Sequence, residues 1–390
     1  DALFSLCAIC LLSSTRAEIC AHVRTQIPPL SSELRIETSV LCTTSTPLSR
    51  LLKTVLRASR IISLSMTDAV PGVLEATKEK TRGIDGTKSI NGFKVHPESI
   101  GSGSFSVVKR CEETSTGNMF AIKIFRKGKL RRERHFVGGQ NGEGMRMRSS
   151  LDKVYNEVNM LKRVSHPHCI RVRGIFDDEN KDGKLYLVIE LAEGALMEWD
   201  VDRCTYYVPA TGGLIAEGAA RIWTRHMLEG LEYLHGISVA HRDVKPQNLL
   251  IAVNRVLLAD FSVAIDIGAD GLVHGTEGTY CFYSPEMTST TTPYEGHDVR
   301  KADIWAAGVS LWAFVFGSVP FYKGENLLGL FEAISTGEYA IPARPEVSED
   351  CLFVIRRMLE RDAHRRPHAR EFFDISWCSR EASGFEHGNC

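Results

Sequence analysis

The most informative segment of this chain is His-Arg-Asp-Val-Lys-Pro-Gln-Asn at residues 241–248, which Asp-Phe-Ser follows at residues 260–262. The two segments bring together two carboxylates, a lysine and an amide, namely Asp243, Asp260, Lys245 and Asn248. Phosphoryl transfer needs a group that orients the attacking hydroxyl, oxygen ligands that hold Mg²⁺ against the phosphates, and a cation that balances the developing charge. The spacing therefore predicts a phosphoryl-transfer site.

These segments resemble the catalytic loop and the metal-binding motif of protein kinases, which follow the pattern His-Arg-Asp-x-Lys-x-x-Asn and then Asp-Phe-Gly. The resemblance implies that Asp243 orients the hydroxyl and accepts its proton. It also implies that Asn248 and Asp260 hold Mg²⁺, with Mn²⁺ as an alternative ion. The fold expected from it is α+β and bilobal, the protein kinase fold, with a small β-rich N-lobe and a large α-helical C-lobe.

A glycine-rich segment and a lysine extend the resemblance into the first lobe. Gly-Ser-Gly-Ser-Phe at residues 101–105 resembles the loop that covers ATP, although Ser106 stands in the place of its third glycine. The residues implied at the phosphates are Gly101, Ser102, Gly103, Ser104 and Phe105. Lys123 follows at strand-like spacing and is expected to pair with the phosphates. Glu157, among apolar residues at helical spacing, is the expected partner of Lys123.

An apolar strand is predicted over Lys184 to Glu190, and the resemblance places the hinge between the lobes at its end. Ile189 would guard the pocket behind adenine, and the backbone from Glu190 to Ala192 would bind the adenine edge. The side chains implied on the two faces of the ring are Val108, Ala121 and Leu250.

The catalytic loop has the serine/threonine form, because Lys245 lies between Asp243 and Asn248. In this group of kinases Thr279 would contact both Asp243 and Lys245. The chain is therefore expected to be an ATP- and Mg²⁺-dependent serine/threonine protein kinase.

Three further positions match the large lobe of the family. Glu286 ends the activation segment, and Arg366 is expected to pair with it. Asp303 begins a segment that matches a buried helix, and by resemblance it anchors the backbone of the catalytic loop. Apolar residues at helical spacing also predict helices after Glu217, over Val309 to Phe316 and over Cys351 to Leu359.

The motifs divide the chain into a kinase domain at residues 93–377 and flanking segments. The N-lobe covers residues 93–191 with a basic insert at 126–150, and the C-lobe covers residues 192–377. Residues 66–92 are expected to be a linker and residues 378–390 a C-terminal tail.

Asp-Glu-Asn-Lys-Asp-Gly at 178–183 begins like a calcium loop, but position 12 is Ile189 rather than a carboxylate, so we expect a hairpin turn.

Residues 1–65 contain no methionine, and the first methionine is Met66. Three interpretations stay open: translated sequence upstream of a start at Met66, a disordered or targeting extension, or the remnant of a membrane anchor. The apolar run from Ala2 to Leu12 is too short to span a bilayer, so no stable membrane insertion is expected.

Composition argues against several other functions. The formal net charge of −1 gives no electrostatic case for nucleic-acid binding. The 11 cysteines show no paired metal-ligand spacing. A reducing, cytoplasmic location is the simpler expectation.

The insert narrows the kinase group. Lys123 and Glu157 are 34 residues apart, which is a longer separation than in most kinases, and the additional residues between them are rich in Arg, Lys and Gly. This resembles the calcium/calmodulin-dependent protein kinase kinases, whereas residues 326–334 and 339–342 resemble the liver kinase B group. Both groups phosphorylate the activation-loop threonine of AMP-activated or SNF1-like kinases, which is the implied substrate. The insert itself is either a solvated disordered loop or a docking patch for an acidic substrate kinase.

The activation segment favours constitutive activity, because residues 260–286 contain no Lys or Arg to clamp a phosphate. Calmodulin control is not expected, since only 13 residues follow Trp377 and they include two glutamates.

The alternative function is a nucleotide-binding pseudokinase scaffold. It rests on Ser106 and on Ser262, which replace glycines and restrict positive φ.

Overall fold

The computed structural model describes residues 73–82, 88–103, 105–137, 146–268, 271–288, 296–322, 324 and 326–379. The expectations for residues 1–65 and for most of the tail therefore lie outside the described residues, as does Ser104. Within the described part of the chain, no helix is long and apolar enough to cross a membrane.

The first lobe is built around a mostly antiparallel sheet. Its elements are β1 (Leu74–Thr77), β2 (Lys80–Arg82), β3 (Lys88–Ile90), β4 (Phe93–Ser102), β5 (Ser106–Glu113), β6 (Met119–Arg126), α1 (Lys127–Arg132), β7 (Arg134–Val137), β8 (Arg146–Ser149), α2 (Ser150–Leu161), β9 (Val172–Asp177) and β10 (Lys184–Glu190). The sheet has the order β1-β9-β10-β6-β5-β4-β3-β2, with β1 parallel to β9. The predicted hairpin at residues 178–183 is confirmed, because β9 and β10 pair antiparallel across it.

The linker predicted at residues 66–92 is wrong where the structure describes it. Residues 74–77, 80–82 and 88–90 form β1, β2 and β3 of the sheet. Ile90 is fully buried beside Phe93 in the core of the sheet, and Phe176 packs on Phe93 at 5.7 Å between ring centroids. Burial of these apolar side chains stabilises β3, although the surrounding sequence resembles a polar linker.

The basic insert is also more ordered than the loop interpretation expects. It contains helix α1 and the antiparallel pair β7–β8, and it leads directly into α2. Leu130 and Lys127 are both almost completely buried. Lys127 donates to the Asp177 carboxylate at 2.6 Å, so its charge is compensated. The described part of the insert is therefore anchored to the end of β9.

The second lobe is mainly helical, as predicted. Its elements are β11 (Gly194–Ala195), β12 (Glu198–Asp200), β13 (Thr205–Tyr207), α3 (Glu217–Gly236), β14 (Val239–Ala240), β15 (Leu249–Ala252), β16 (Arg255–Leu258), β17 (Ile265–Asp266), β18 (Leu272–Val273), α4 (Pro285–Thr288), β19 (His297–Asp298), α5 (Val299–Phe316), α6 (Leu327–Thr336), α7 (Glu349–Met358) and α8 (Ser376–Ser379). Short 3₁₀ helices cover Pro246–Asn248, Tyr280–Phe282 and Ala369–Phe372.

Helix α5 forms the centre of this lobe and fixes the catalytic loop above it. The helix begins where the Asp298 carboxylate accepts the backbone N–H of Arg300, and it ends at Gly317 with a φ of 68°. All but one of its residues are buried. A helix that is apolar on all sides belongs in a core, and here it is packed by α3 and α7. The bilobal α+β fold is confirmed.

Candidate active site

The catalytic loop rests on one buried carboxylate. Asp303, in the first turns of α5, accepts the backbone N–H of His241 at 3.0 Å and that of Arg242 at 2.8 Å. The His235 ring lies 2.9 Å from the same carboxylate. Burial alone would raise the pKa of Asp303, but the hydrogen bond from His235 and the nearby imidazoles hold it below its usual value. Asp303 therefore stays ionised and fixes the loop backbone.

Three predicted residues meet at the carboxylate of Asp243. Lys245 Nζ donates to Asp243 Oδ2 at 2.7 Å and to Thr279 Oγ1 at 2.9 Å. Thr279 Oγ1 in turn donates to Asp243 Oδ1 at 2.8 Å. The amide nitrogen of Asn248 donates to both the carbonyl oxygen and Oδ2 of Asp243, each at 2.8 Å. The contacts expected of Thr279 are thus present, and the rotamer of Asp243 is fixed from three sides.

Lys123 on β6 and Glu157 on α2 form the expected ion pair, with Nζ and Oε1 2.8 Å apart. Burial lowers the pKa of Lys123, but the charges of Glu157 and Asp260 outweigh it, so the net shift is upward. Asp260 responds in the opposite direction: burial would raise its pKa, and Lys123 holds it below the usual value. The cation of Lys123 therefore interacts with two carboxylates, those of Glu157 and Asp260.

The segment Asp260-Phe261-Ser262 has a conformation that the sequence does not reveal. Asp260 has a φ of 63°, in the left-handed region, whereas Ser262 lies outside that region. Replacement of the family glycine by Ser262 therefore brings no backbone strain in this arrangement. Phe261 is fully buried and packs edge-on against His241 at 5.0 Å. Asp260 is consequently held facing Lys123.

The donor set fits a magnesium ion. The amide nitrogen of Asn248 is occupied by Asp243, which leaves its oxygen as the free acceptor, and Asp260 supplies an ionised carboxylate. Among the described residues no cluster of three or more acidic, His or Cys side chains is built to hold a metal. Mg²⁺ is typically held by one or two carboxylates together with substrate phosphates, and Asn248 and Asp260 offer oxygen ligands of this kind.

The glycine-rich loop joins β4 and β5. Gly101 pairs with Val108, and the N–H of Gly103 donates to the carbonyl of Ser106 at 3.0 Å, which closes the turn. Ser102 ends β4, and Phe105 is half-buried against the larger apolar cluster. Ser106 begins β5 and takes no left-handed conformation, so it too is accommodated without strain.

The residues predicted around adenine lie on two sheets: Val108, Ala121 and Ile189 on the sheet of the first lobe, and Leu250 on the sheet formed by β11, β15 and β16. Ala121 pairs with Ile189 across β6 and β10, and Leu250 pairs with Ala195 across β15 and β11. The N–H of Glu190 is used by the carbonyl of Arg171 at 2.9 Å. The backbone N–H of Glu190 is therefore not available to a ligand in this arrangement.

The activation segment packs tightly on the catalytic loop at Gly278. This residue has a φ of 109°, and a Cβ atom there would lie 2.4 Å from the carbonyl oxygen of Arg242. Only glycine fits such an approach. Further along, Glu286 pairs with fully buried Arg366 at 2.7 Å, as expected from the sequence.

Sequence reasoning missed several contacts that hold α2 in place. The Asn156 side chain donates to the carbonyl of Ala264 at 2.9 Å, and the Tyr155 hydroxyl lies 3.0 Å from the Asp177 carboxylate. Both residues neighbour Glu157 in the sequence, and this adjacency is the one signal that could have found them. Their partners are more than twenty positions away and carry no motif.

Comparisons with known proteins agree with this geometry. The sequence model of the protein kinase domain matches residues 95–378. A calcium/calmodulin-dependent protein kinase kinase of Caenorhabditis elegans is 32% identical over 75% of this chain and 54% of its own length. Serine/threonine-protein kinase ssp1 of Schizosaccharomyces pombe is 32% identical over 76% of this chain and 44% of its own length.

A third relative is Serine/threonine-protein kinase DCLK2 of Rattus norvegicus, which is 31% identical over 73% of this chain and 34% of its own length. The chain thus spans about half or less of the length of these relatives. The matched domain, the two lobes and the assembled polar site lead to one conclusion: this chain belongs to the protein kinase family.

Proposed function

We propose that this chain is an ATP- and Mg²⁺-dependent serine/threonine kinase whose substrate is the activation-loop threonine of another protein kinase. The observation that carries the proposal is the convergence of Lys245, Thr279 and Asn248 on the Asp243 carboxylate. Such a carboxylate can orient a substrate hydroxyl and accept its proton.

The remaining polar residues have roles that follow from their charges. Lys123, positioned by Glu157, would pair with the phosphates of ATP, and Lys245 would balance charge on the transferred group. Mg²⁺ or Mn²⁺, held by Asn248 and Asp260, would neutralise phosphate oxygens when bound. The adenine ring would lie between Val108 and Ala121 on one side and Leu250 on the other, next to Ile189.

The substrate class is supported by the name of the C. elegans relative, a protein kinase kinase, and by the basic insert. Among the cations of the insert that bond within the fold, Lys127 pairs with Asp177 and Arg131 donates to the carbonyl of Lys181 at 2.6 Å. In the described part of the insert Lys129, Arg132 and Arg134 are exposed, and we call these three residues the insert patch. Clustered exposed cations raise the encounter rate with an acidic partner.

The insert patch is tested by changing its three residues to alanine. We expect a higher KM for a whole kinase substrate and an unchanged KM for a short peptide. The matched control replaces Lys80, Lys94 and Arg82, which are also exposed in the first lobe. Equal effects on protein and peptide substrates would refute docking through the patch.

The substrate assignment itself is tested with the purified chain and a catalytically inactive SNF1-like kinase. We expect phosphate on the activation-loop threonine, and none when that threonine is changed to alanine. Transfer to a generic peptide without transfer to this threonine would refute the substrate class and leave the kinase activity standing.

The alternative, a nucleotide-binding pseudokinase scaffold, rests on Ser106 and Ser262. It is disfavoured because neither serine occupies a left-handed conformation, and because the Lys123–Glu157 pair is formed.

We further propose a cytoplasmic location, since the cysteines in the described part of the chain are all free thiols.

A further inference from the structure

The activation segment is acidic, and two of its described acids contact the helix that carries Glu157 or the turn that follows that helix. Asp266 forms an ion pair with Arg163, and Glu277 lies 3.8 Å from Lys153. A further acid of the segment, Asp270, falls outside the described residues. Both cations belong to α2 or to the turn that immediately follows it.

The two ion pairs bracket the helix. Lys153 lies in the first turns of α2, and Arg163 lies two residues beyond its last residue. Between them, the Asn156 side chain donates to the carbonyl of Ala264 in the same activation segment. The segment therefore contacts α2 at its start, its middle and its end.

The acids are themselves fixed to the catalytic loop. Asp266 pairs with Val239 across β17 and β14, just before His241. Glu277 precedes Gly278, where an added Cβ would lie 2.4 Å from the carbonyl oxygen of Arg242, and Thr279 donates to Asp243. A displacement of α2 would thus require the acids to leave cations that they now contact, while their backbone stays anchored.

We propose that Asp266 and Glu277 are positioning residues that hold α2, so that Glu157 reaches Lys123 without phosphorylation of the activation segment. A phosphate orders such segments by supplying negative charge to nearby cations. Here two carboxylates supply that charge. The inference rests on the proposed kinase function and adds how its active arrangement is maintained.

The test compares wild type with the double variant Asp266→Asn/Glu277→Gln, both prepared without phosphate. We expect kcat to fall about fivefold, because two partly exposed pairs are lost, and KM for the protein substrate to change less than about twofold. Amide hydrogen exchange in residues 150–161 should become faster. The charge-conserving variant Asp266→Glu/Glu277→Asp should keep more than half of kcat.

The control variant Glu338→Gln/Glu346→Gln removes the same charge from exposed positions elsewhere in the C-lobe and should match wild type. Unchanged exchange in α2 overturns the inference, whether or not kcat falls. Faster exchange with unchanged kcat also overturns it. Hydrogen exchange needs no substrate, so it decides the inference even where phosphate transfer is absent and the proposed function fails.

Discussion

The catalytic loop and helix α2 supply the two halves of the site, and they are held in different ways. The catalytic loop is held by Asp303, which is 1% exposed. The Asp303 carboxylate accepts two backbone N–H groups of the loop and makes a third polar contact with the His235 ring. Helix α2 is held partly by surface pairs such as Lys153–Glu277, whose side chains are 39% and 33% exposed. Buried networks are costly to break, whereas exposed pairs contribute little individually. The loop is therefore a fixed part of the fold, and α2 is its adjustable counterpart.

The catalytic loop and α2 are best distinguished by changing one carboxylate to an amide in each region and comparing the losses of stability and activity. Asp303→Asn places an amide N–H₂ against backbone N–H donors, so we expect about 3 kcal/mol less stability in denaturant unfolding. Glu157→Gln should lower kcat about a hundredfold, since Lys123 loses its charged partner, with a smaller loss of stability. Equal stability losses in the two variants would contradict the distinction.

A second test concerns the junction of the activation segment with the loop. Gly278→Ala should lower kcat about tenfold, because its Cβ would lie 2.4 Å from a backbone carbonyl and Thr279 would move away from Asp243. Gly275→Ala is the matched control, because Gly275 also has a positive φ of 79° but nothing within 4 Å of the added Cβ. If both variants lose the same activity in a steady-state assay, backbone strain rather than the close contact is responsible.

The helical lobe should also respond to acid through His226. Burial, with smaller contributions from neighbouring cations, lowers the pKa of His226 to about 4, and the ring stacks on His168 at 4.0 Å. Because the unfolded chain binds the proton more tightly, stability present above about pH 6.5 is lost as the pH falls towards 4.

We expect this effect to contribute about 1 kcal/mol, discounted for the partial exposure of the ring. Thermal unfolding between pH 7 and pH 4.5 measures it, with His226→Gln as the comparison. The variant should lose less stability on acidification than wild type, and parallel curves would exclude His226 as the group responsible.

The smallest expected effect is that of Thr276→Ala. If carboxylates replace an activating phosphate, this variant should keep kcat within about twofold of wild type. Thr279→Ala serves as the contrast, since Thr279 bonds both Asp243 and Lys245 and its loss should impair transfer. A loss with Thr276→Ala as large as that with Thr279→Ala would show that Thr276 is needed.

The sequence predicts the parts of the site that lie in short motifs. Asp243, Lys245 and Asn248 stand within six residues, so their spacing alone constrains their geometry. Glu157 is found from helical periodicity, and Asp303 from the segment that follows it. The two lobes follow from the order of strands and helices, because hydrophobic periodicity is a local property.

What could not be predicted depends on distant contacts. The strand Leu74–Thr77 is exposed at all four residues, so it carries no apolar pattern, and its pairing with β9 supplies the structure. In the insert, charged residues and Gly128 argue for a loop, but burial of Leu130 and the Lys127–Asp177 pair decide otherwise. The backbone of Asp260 and Ser262 is likewise set by burial of Phe261 rather than by local propensity.

The claim on which the account rests is that Asp243 catalyses phosphate transfer in a pocket shared by both lobes. Its most direct test is Mg²⁺-dependent incorporation of phosphate from ATP by wild type and by Asp243→Asn at equal ATP occupancy. The account predicts a fall of about 10²–10⁴-fold with nucleotide binding retained. Equal incorporation by the two proteins would contradict it and would favour a scaffold that binds nucleotide without catalysis.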